Sequence, residues 1–203
     1  QYAGDSAKVL SSLVVSSMMS NAPFMIYAGQ ELGEKAEDAE GFSGHDGRTT
    51  IFDYWSIPTI RRWYNGGKAD GGGLSNEEKG LRNIYRTVLR LLNSEDALYR
   101  GGFFDLMYVN FDNPRFSPHS HYAFLRHCGD TTLLIAANFS DKAAELEINI
   151  PQLAIKEGKY MATELISKRR KNKILSATEP FHTGIAPWGA VVWKIKASGN
   201  ELQ

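Results

Sequence analysis

After Gly102 the chain is written almost entirely in short runs of β-forming residues separated by turn chemistry, and this pattern constrains the fold more than any other feature. The runs are Phe103 to Val109, His121 to His127, Thr132 to Phe139, Ala144 to Ile150, Lys159 to Ile166, a short piece near Ile174, Pro180 to Ile185, and Ala190 to Ile195. Gly129-Asp130, Ser140-Asp141-Lys142 and Glu157-Gly158 stand between them as turn signals. Strands at even spacing with no helix between them predict an antiparallel β-sandwich of about 100 residues.

The first half has a different grammar. From Asp5 to Ser20 the apolar residues Val9, Leu10, Leu13, Val14 and Met18 recur at three- and four-residue spacings, which predicts a helix with one buried face, stopped by Asn21-Ala22-Pro23. Phe24-Met25-Ile26-Tyr27 is a continuous apolar run between Pro23 and Gly29, suited to a parallel strand buried on both faces. Gly29 to Gly73 shows little periodicity and reads as a long surface excursion, a kind of loop that is usually functional or disordered. Ser75 and Glu78 fit a capping box, and Leu81, Ile84, Tyr85, Val88, Leu89 and Leu92 form the buried stripe of the helix that follows. Two domains are therefore expected, 1–101 and 102–203.

Composition removes several function classes. The 203 residues carry 23 Lys+Arg against 23 Asp+Glu, a net charge of zero that gives no electrostatic reason to expect nucleic acid or an anionic membrane as partner, and neither is expected. One cysteine, Cys128, rules out an internal disulfide framework, and its alternating context predicts a buried packing residue. Uninterrupted apolar runs fall far short of the roughly 20 residues of a membrane span. No basic start or apolar stretch marks a signal peptide, and one cysteine suits a cytoplasmic and an exported protein equally, so the compartment is left open. Gln1 stands where a Met would, so it is not expected to be a natural N-terminus.

Generic catalytic constellations are few. His45, His119, His121, His127 and His182 lack metal-ligand spacing and read as surface or turn residues. Gly71-Gly72-Gly73 lacks the Lys-Ser/Thr of a phosphate loop and reads as a flexible linker piece. Two segments stand apart. Ala22 to Gly33 ends a buried strand in Gln30-Glu31, which places a carboxylate at the carboxyl end of a parallel sheet, where α/β folds hold ligands. Gly44 to Trp55 interleaves Asp46, Arg48 and Asp53 with Phe52, Tyr54 and Trp55. Sugars call for that pairing, since hydroxyls take bidentate bonds from Asp and Arg while C–H faces stack on aromatic rings. The structural alternatives carry equal weight on these residues alone: Glu31 capping a neighbouring helix, and the aromatics anchoring a loop to the core.

Pro23, Tyr27, Gly29 and Glu31 resemble, in register, the eighth-strand motif Gly-x-Pro-x-x-Tyr-x-Gly-x-Glu of the α-amylase family, glycoside hydrolase family 13, with Asn21 in place of the leading Gly. Gly47-Arg48-Thr49 through Trp55 resembles the Arg-Thr-x-x-x-x-Trp loop of many members. Leu81 to Leu92 is similar to the final barrel helix, Phe124-Leu125-Arg126 with Leu133 to Ser140 to the start of the β-sandwich domain C, and Gly184 to Ala190 to its closing strand pair.

The resemblance implies an α+β chain: a helical, one-strand remnant of a (β/α)8 TIM barrel followed by an antiparallel Greek-key β-sandwich. A barrel alone takes about 250 residues, so 203 residues containing a sandwich cannot also hold one. The family hydrolyses or transfers α-glucosidic bonds with retention, through two carboxyl groups about 5 Å apart, and those carboxylates are expected upstream of Gln1. No catalytic or metal-binding residue is therefore assigned here, and the chain alone is expected to be inactive. His45-Asp46 follows the eighth-strand motif and so cannot be the family's catalytic His-Asp pair, which precedes it. Asp46 and Arg48 are instead the first candidates for contact with an α-glucan or malto-oligosaccharide, followed by Glu31, Asp53 and Trp55. No cofactor is expected in this chain, although calcium occurs in some relatives. The implied partners are the N-terminal catalytic part of the same protein and the sugar. The orphaned strand is expected to pair across an interface, with a second copy as one partner. A non-catalytic glucan-binding or structural sandwich module is the alternative.

Overall fold

The structure is a computed structural model that describes residues 8–35, 56–176 and 178–197. It falls into two compact units. Among the described residues one comprises 23–35 and 56–87, and the other joins 8–22 to 88–176 and 178–197.

Among the described residues of the larger unit eight strands form two antiparallel sheets. They are β1 (Gly102–Asp105), β2 (His121–Cys128), β3 (Thr131–Asn138), β4 (Ala144–Ile148), β5 (Gly158–Glu164), β6 (Arg170–Leu175), β7 (Phe181–Ile185) and β8 (Ala190–Ala197). The six-stranded sheet runs β1-β2-β3-β8-β5-β6 and the smaller one pairs β4 with β7, so the chain crosses between sheets after β3, β4, β6 and β7. Period-two alternation fills the space between the sheets with Leu125, Leu134, Leu146, Ile148, Phe181, Trp193 and Ile195. Each expected strand is present, with one shortened: the run from Phe103 leaves the sheet at Asp105, whose carboxylate accepts the Met107 amide (2.8 Å) and starts a turn of helix, α5 (Met107–Asn110).

β3 is buried on both faces, unusual for an antiparallel strand. Its second face, with Phe124, Leu133, Ile135 and Val192, lies under two helices, α1 (Val9–Met18) over β3 and β8 and α4 (Asp96–Tyr99) over β2 and β3. A polar clasp holds these helices. Arg126, 1% exposed, donates from Nε to the Ala97 carbonyl (3.1 Å), from Nη1 to Met19 (3.3 Å), and from Nη2 to Leu98 (3.0 Å), Gly101 (2.8 Å) and the Asn21 side-chain oxygen. Lys194 on β8 meets Glu95 just before α4 at 2.6 Å. Gly101 is required by crowding, since a Cβ there would lie 2.3 Å from the Ala97 oxygen.

Cys128 is half-buried at the end of β2, beside the Gly129-Asp130 turn, rather than in the core. His121 accepts the Ser117 amide at Nδ1 (2.9 Å) and meets the Phe116 ring edge-on. Burial holds its pKa below the ordinary value. The folded chain therefore binds fewer protons than the unfolded chain once pH drops through about 6.5. The His121 contribution to stability is expected to be intact above that pH and to fall below it. Urea midpoints of the parent and His121→Gln between pH 7.5 and 5.5 check this: the parent should lose more than the variant.

The smaller unit holds α2 (Pro58–Tyr64) and the first part of α3 (Asn76–Ser94). The capping box forms as expected, the Ser75 hydroxyl accepting the Glu78 amide (3.1 Å) and the Glu78 carboxylate accepting the Ser75 amide (2.8 Å). Glu78 also accepts from Arg62 Nε (3.0 Å). Burial opposes its ionisation, yet Arg62 and the Ser75 amide together hold its pKa below the usual value.

Two expectations for this unit are corrected. The glycine run 71–73 is no linker: Gly71 is buried at φ +71, and a Cβ on Gly73 would sit 2.7 Å from the Arg62 carbonyl, so the run packs against α2. The buried parallel strand over Phe24–Tyr27 does not form. The segment joins no ladder among the described residues, Met25 is 84% exposed and Tyr27 38%. A parallel strand is held by neighbours on either side, and no described strand lies beside this one.

Candidate functional site

The segment that follows Tyr27 is built tightly. Gly29 (φ +79) and Gly33 (φ +77) both adopt the left-handed conformation and enclose one turn of 3₁₀-helix, Gln30–Leu32. Gln30 fixes the entry, its Oε1 accepting the Tyr27 amide (3.1 Å) and its Nε2 donating to the phenol oxygen of buried Tyr85 on α3 (3.0 Å). Burial raises the Tyr85 pKa, and the charge of nearby Glu31 adds to the rise.

Glu31 sits half-buried on this turn. The helix-capping role weighed for it belongs to Glu34. That carboxylate accepts the Thr59 amide (3.2 Å) and the Thr59 hydroxyl (2.7 Å) at the start of α2, just after Pro58. A carboxylate there satisfies an orphan amide and faces the positive end of the helix. Gly29 makes room for it: a Cβ at 29 would lie 2.8 Å from Glu34 Cβ. Glu34→Ala is expected to cost about 1 kcal/mol, read as a lower urea midpoint, and Glu34→Gln less, because an amide oxygen can still accept.

Of the five sugar-contact candidates the structure places Glu31 alone; Asp46, Arg48, Asp53 and Trp55 lie outside the described residues. Sequence reading missed Gln30 as a clasp, Tyr85 as its partner, and the Glu34–Thr59 cap. Pro58 followed by Thr59 was the available signal for a helix start, while its carboxylate partner lies 25 residues away. Among the described residues no three His, Cys, Asp or Glu side chains gather as metal ligands, and no helix is long and apolar enough to cross a membrane.

No protein-family profile matches the chain, and no curated protein matches its sequence. Solved structures do match. AmyP in complex with maltose aligns over 96% of this chain and 36% of its own, with TM-score 0.62 and 13% identity. The α-amylase from Geobacillus thermoleovorans complexed with acarbose aligns over 96% and 34%, with TM-score 0.59 and 13% identity. The chain has the fold of the C-terminal part of α-amylase-type enzymes. The trehalose-6-phosphate hydrolase of Bacillus licheniformis aligns over 93% and 39%, with TM-score 0.52 and 18% identity. The chain thus spans little more than a third of each of these structures, and the mixed helix and antiparallel-sheet architecture expected from its sequence is the one it shares with them.

Proposed function

We propose that this chain is part of an α-amylase-type glycoside hydrolase acting on α-glucans or malto-oligosaccharides, by retaining hydrolysis or transglycosylation. The observation that carries the reading is the likeness over 96% of the chain to structures in complex with maltose and with acarbose. The catalytic carboxylates are assigned to parts of such enzymes that this chain does not contain. Asp46 and Arg48 are the proposed sugar-hydroxyl ligands, with Glu31, Asp53 and Trp55 in support. Phe24 to Tyr27, which joins no ladder among the described residues, is the proposed site of pairing with the rest of the barrel or with a second copy of the chain.

Calorimetric titration of the 203-residue chain with maltoheptaose, alongside a reducing-sugar assay, tests the reading. The expected result is no turnover, with any saturable heat weakened by Asp46→Ala and Arg48→Ala. Robust hydrolysis by this chain alone would overturn it. Saturable heat unaffected by either substitution would favour the glucan-binding module instead.

A further inference from the structure

The zero net charge conceals a concentrated asymmetry. Between Lys156 and Lys173 the sequence holds seven Lys or Arg against two Glu. One of those two, Glu164, is 1% exposed and fully used inside the β5–β6 hairpin, accepting from the Ile166 and Val192 amides and from the amide and hydroxyl of Ser167. Among the described residues none of Lys159, Lys168, Arg169, Arg170, Lys171 and Lys173 forms an ion pair. Lys173 instead lies over the Phe181 ring (4.7 Å) and donates to the His182 carbonyl (3.2 Å).

These charges line an open sheet edge. β6 closes the order β1-β2-β3-β8-β5-β6, and among the described residues no hydrogen bond reaches the outer side of its backbone. The register sets the charges on both faces of the edge. Lys171 and Lys173 stand opposite Ala162 and Tyr160, on the core side, while Arg170 stands opposite Thr163 on the other. Ile174, 65% exposed, leaves apolar surface beside them.

We propose that the β6 edge is a docking site for an extended acidic peptide segment, which adds as a further strand and sets its alternating carboxylates against Lys171 and Lys173 on one face and Arg170 on the other. An open edge supplies main-chain donors and acceptors in a row, and flanking cations select an acidic occupant. Charge on both faces suits an extended strand, whose side chains alternate, better than a flat bilayer surface, which meets one plane. Burial, and then the charge of Lys171, lowers the Lys173 pKa; a carboxylate placed there would offset the repulsion between the two lysines. The inference is independent of the α-glucan reading.

The test is fluorescence anisotropy of a labelled peptide of repeated Glu-Glu-Val, whose neighbouring carboxylates fall on opposite faces of an extended strand, about eight residues long to exceed the usual strand length, titrated with the 203-residue chain. Expected is saturable binding that weakens about ten-fold in Lys171→Gln/Lys173→Gln and in the milder Arg170→Gln/Lys171→Gln, each with a melting temperature matching the parent, and that weakens comparably when alternate peptide amides are N-methylated. Three results would overturn the proposal. They are no saturation at millimolar peptide, equal binding by the variants or the N-methylated peptide, and equal competition per charge by polyuridylate or phosphatidylserine vesicles. Any of the three leaves the lysines as simple guards against edge-to-edge aggregation.

Discussion

Replacing Arg126 with Met is expected to lower stability by about 3 to 5 kcal/mol, the range found when one partner of a buried charged network is removed. The guanidinium is neutralised by backbone carbonyl dipoles at the ends of α1 and α4, and no carboxylate among the described residues pairs with it. Met fills much of the space but donates nothing, so the carbonyls of Ala97, Leu98 and Gly101 are left buried without their partner, at about 1 to 3 kcal/mol each before relaxation. Arg126→Lys is expected to fall between parent and Met, because one ammonium cannot span acceptors arranged for a planar fork. Urea unfolding followed by far-UV circular dichroism measures both. A Met variant within about 0.5 kcal/mol of the parent, the range of ordinary surface substitutions, would show that the clasp contributes nothing.

A chain cut to begin at Gly102 is expected to lose its cooperative fold. The cut removes α1 and α4 from the second face of the large sheet and uncovers Phe124, Leu133, Ile135 and Val192, each 0% exposed in the whole chain. At about 1.5 to 3 kcal/mol for each such side chain, the loss is about 6 to 12 kcal/mol, as large as the entire stability of an ordinary domain. A chain beginning at Val88 keeps α4 and the Glu95–Lys194 pair and is expected to recover part of the loss, with a synthetic 7–22 peptide restoring more. Size-exclusion chromatography and urea melts distinguish the three. A 102–203 piece that stays monomeric and unfolds at the full chain's midpoint would disprove the shared burial.

What the sequence made legible was local. The eight β runs, the Ser75–Glu78 capping box and the buried stripe of α3 rest on residues within a few positions of one another, and all are present. The failures are non-local. Phe24–Tyr27 has strand composition, yet a parallel strand exists only beside neighbours, and none is described here. Glu34 and Thr59 are each ordinary residues until the fold brings them together. Arg126 stood out only through resemblance, since its five acceptors come from 19–21, 97–98 and 101. The candidate sugar ligands were legible as chemistry, but of the five only Glu31 has a described place.

Trp193 gives the chain an optical reporter of its own. The indole is 2% exposed, donates to the Thr183 hydroxyl (3.0 Å) and meets Phe181 edge-on, so its emission belongs to the blue end of the tryptophan range. Trp63 lies in the other compact unit and is half-buried. The sequence holds three other tryptophans, Trp55, Trp63 and Trp188; with all three replaced by Phe the colour of the remaining fluorescence follows the sandwich core as it opens, and comparison with a variant that keeps Trp63 in place of Trp193 tells whether the two units melt as one or in turn.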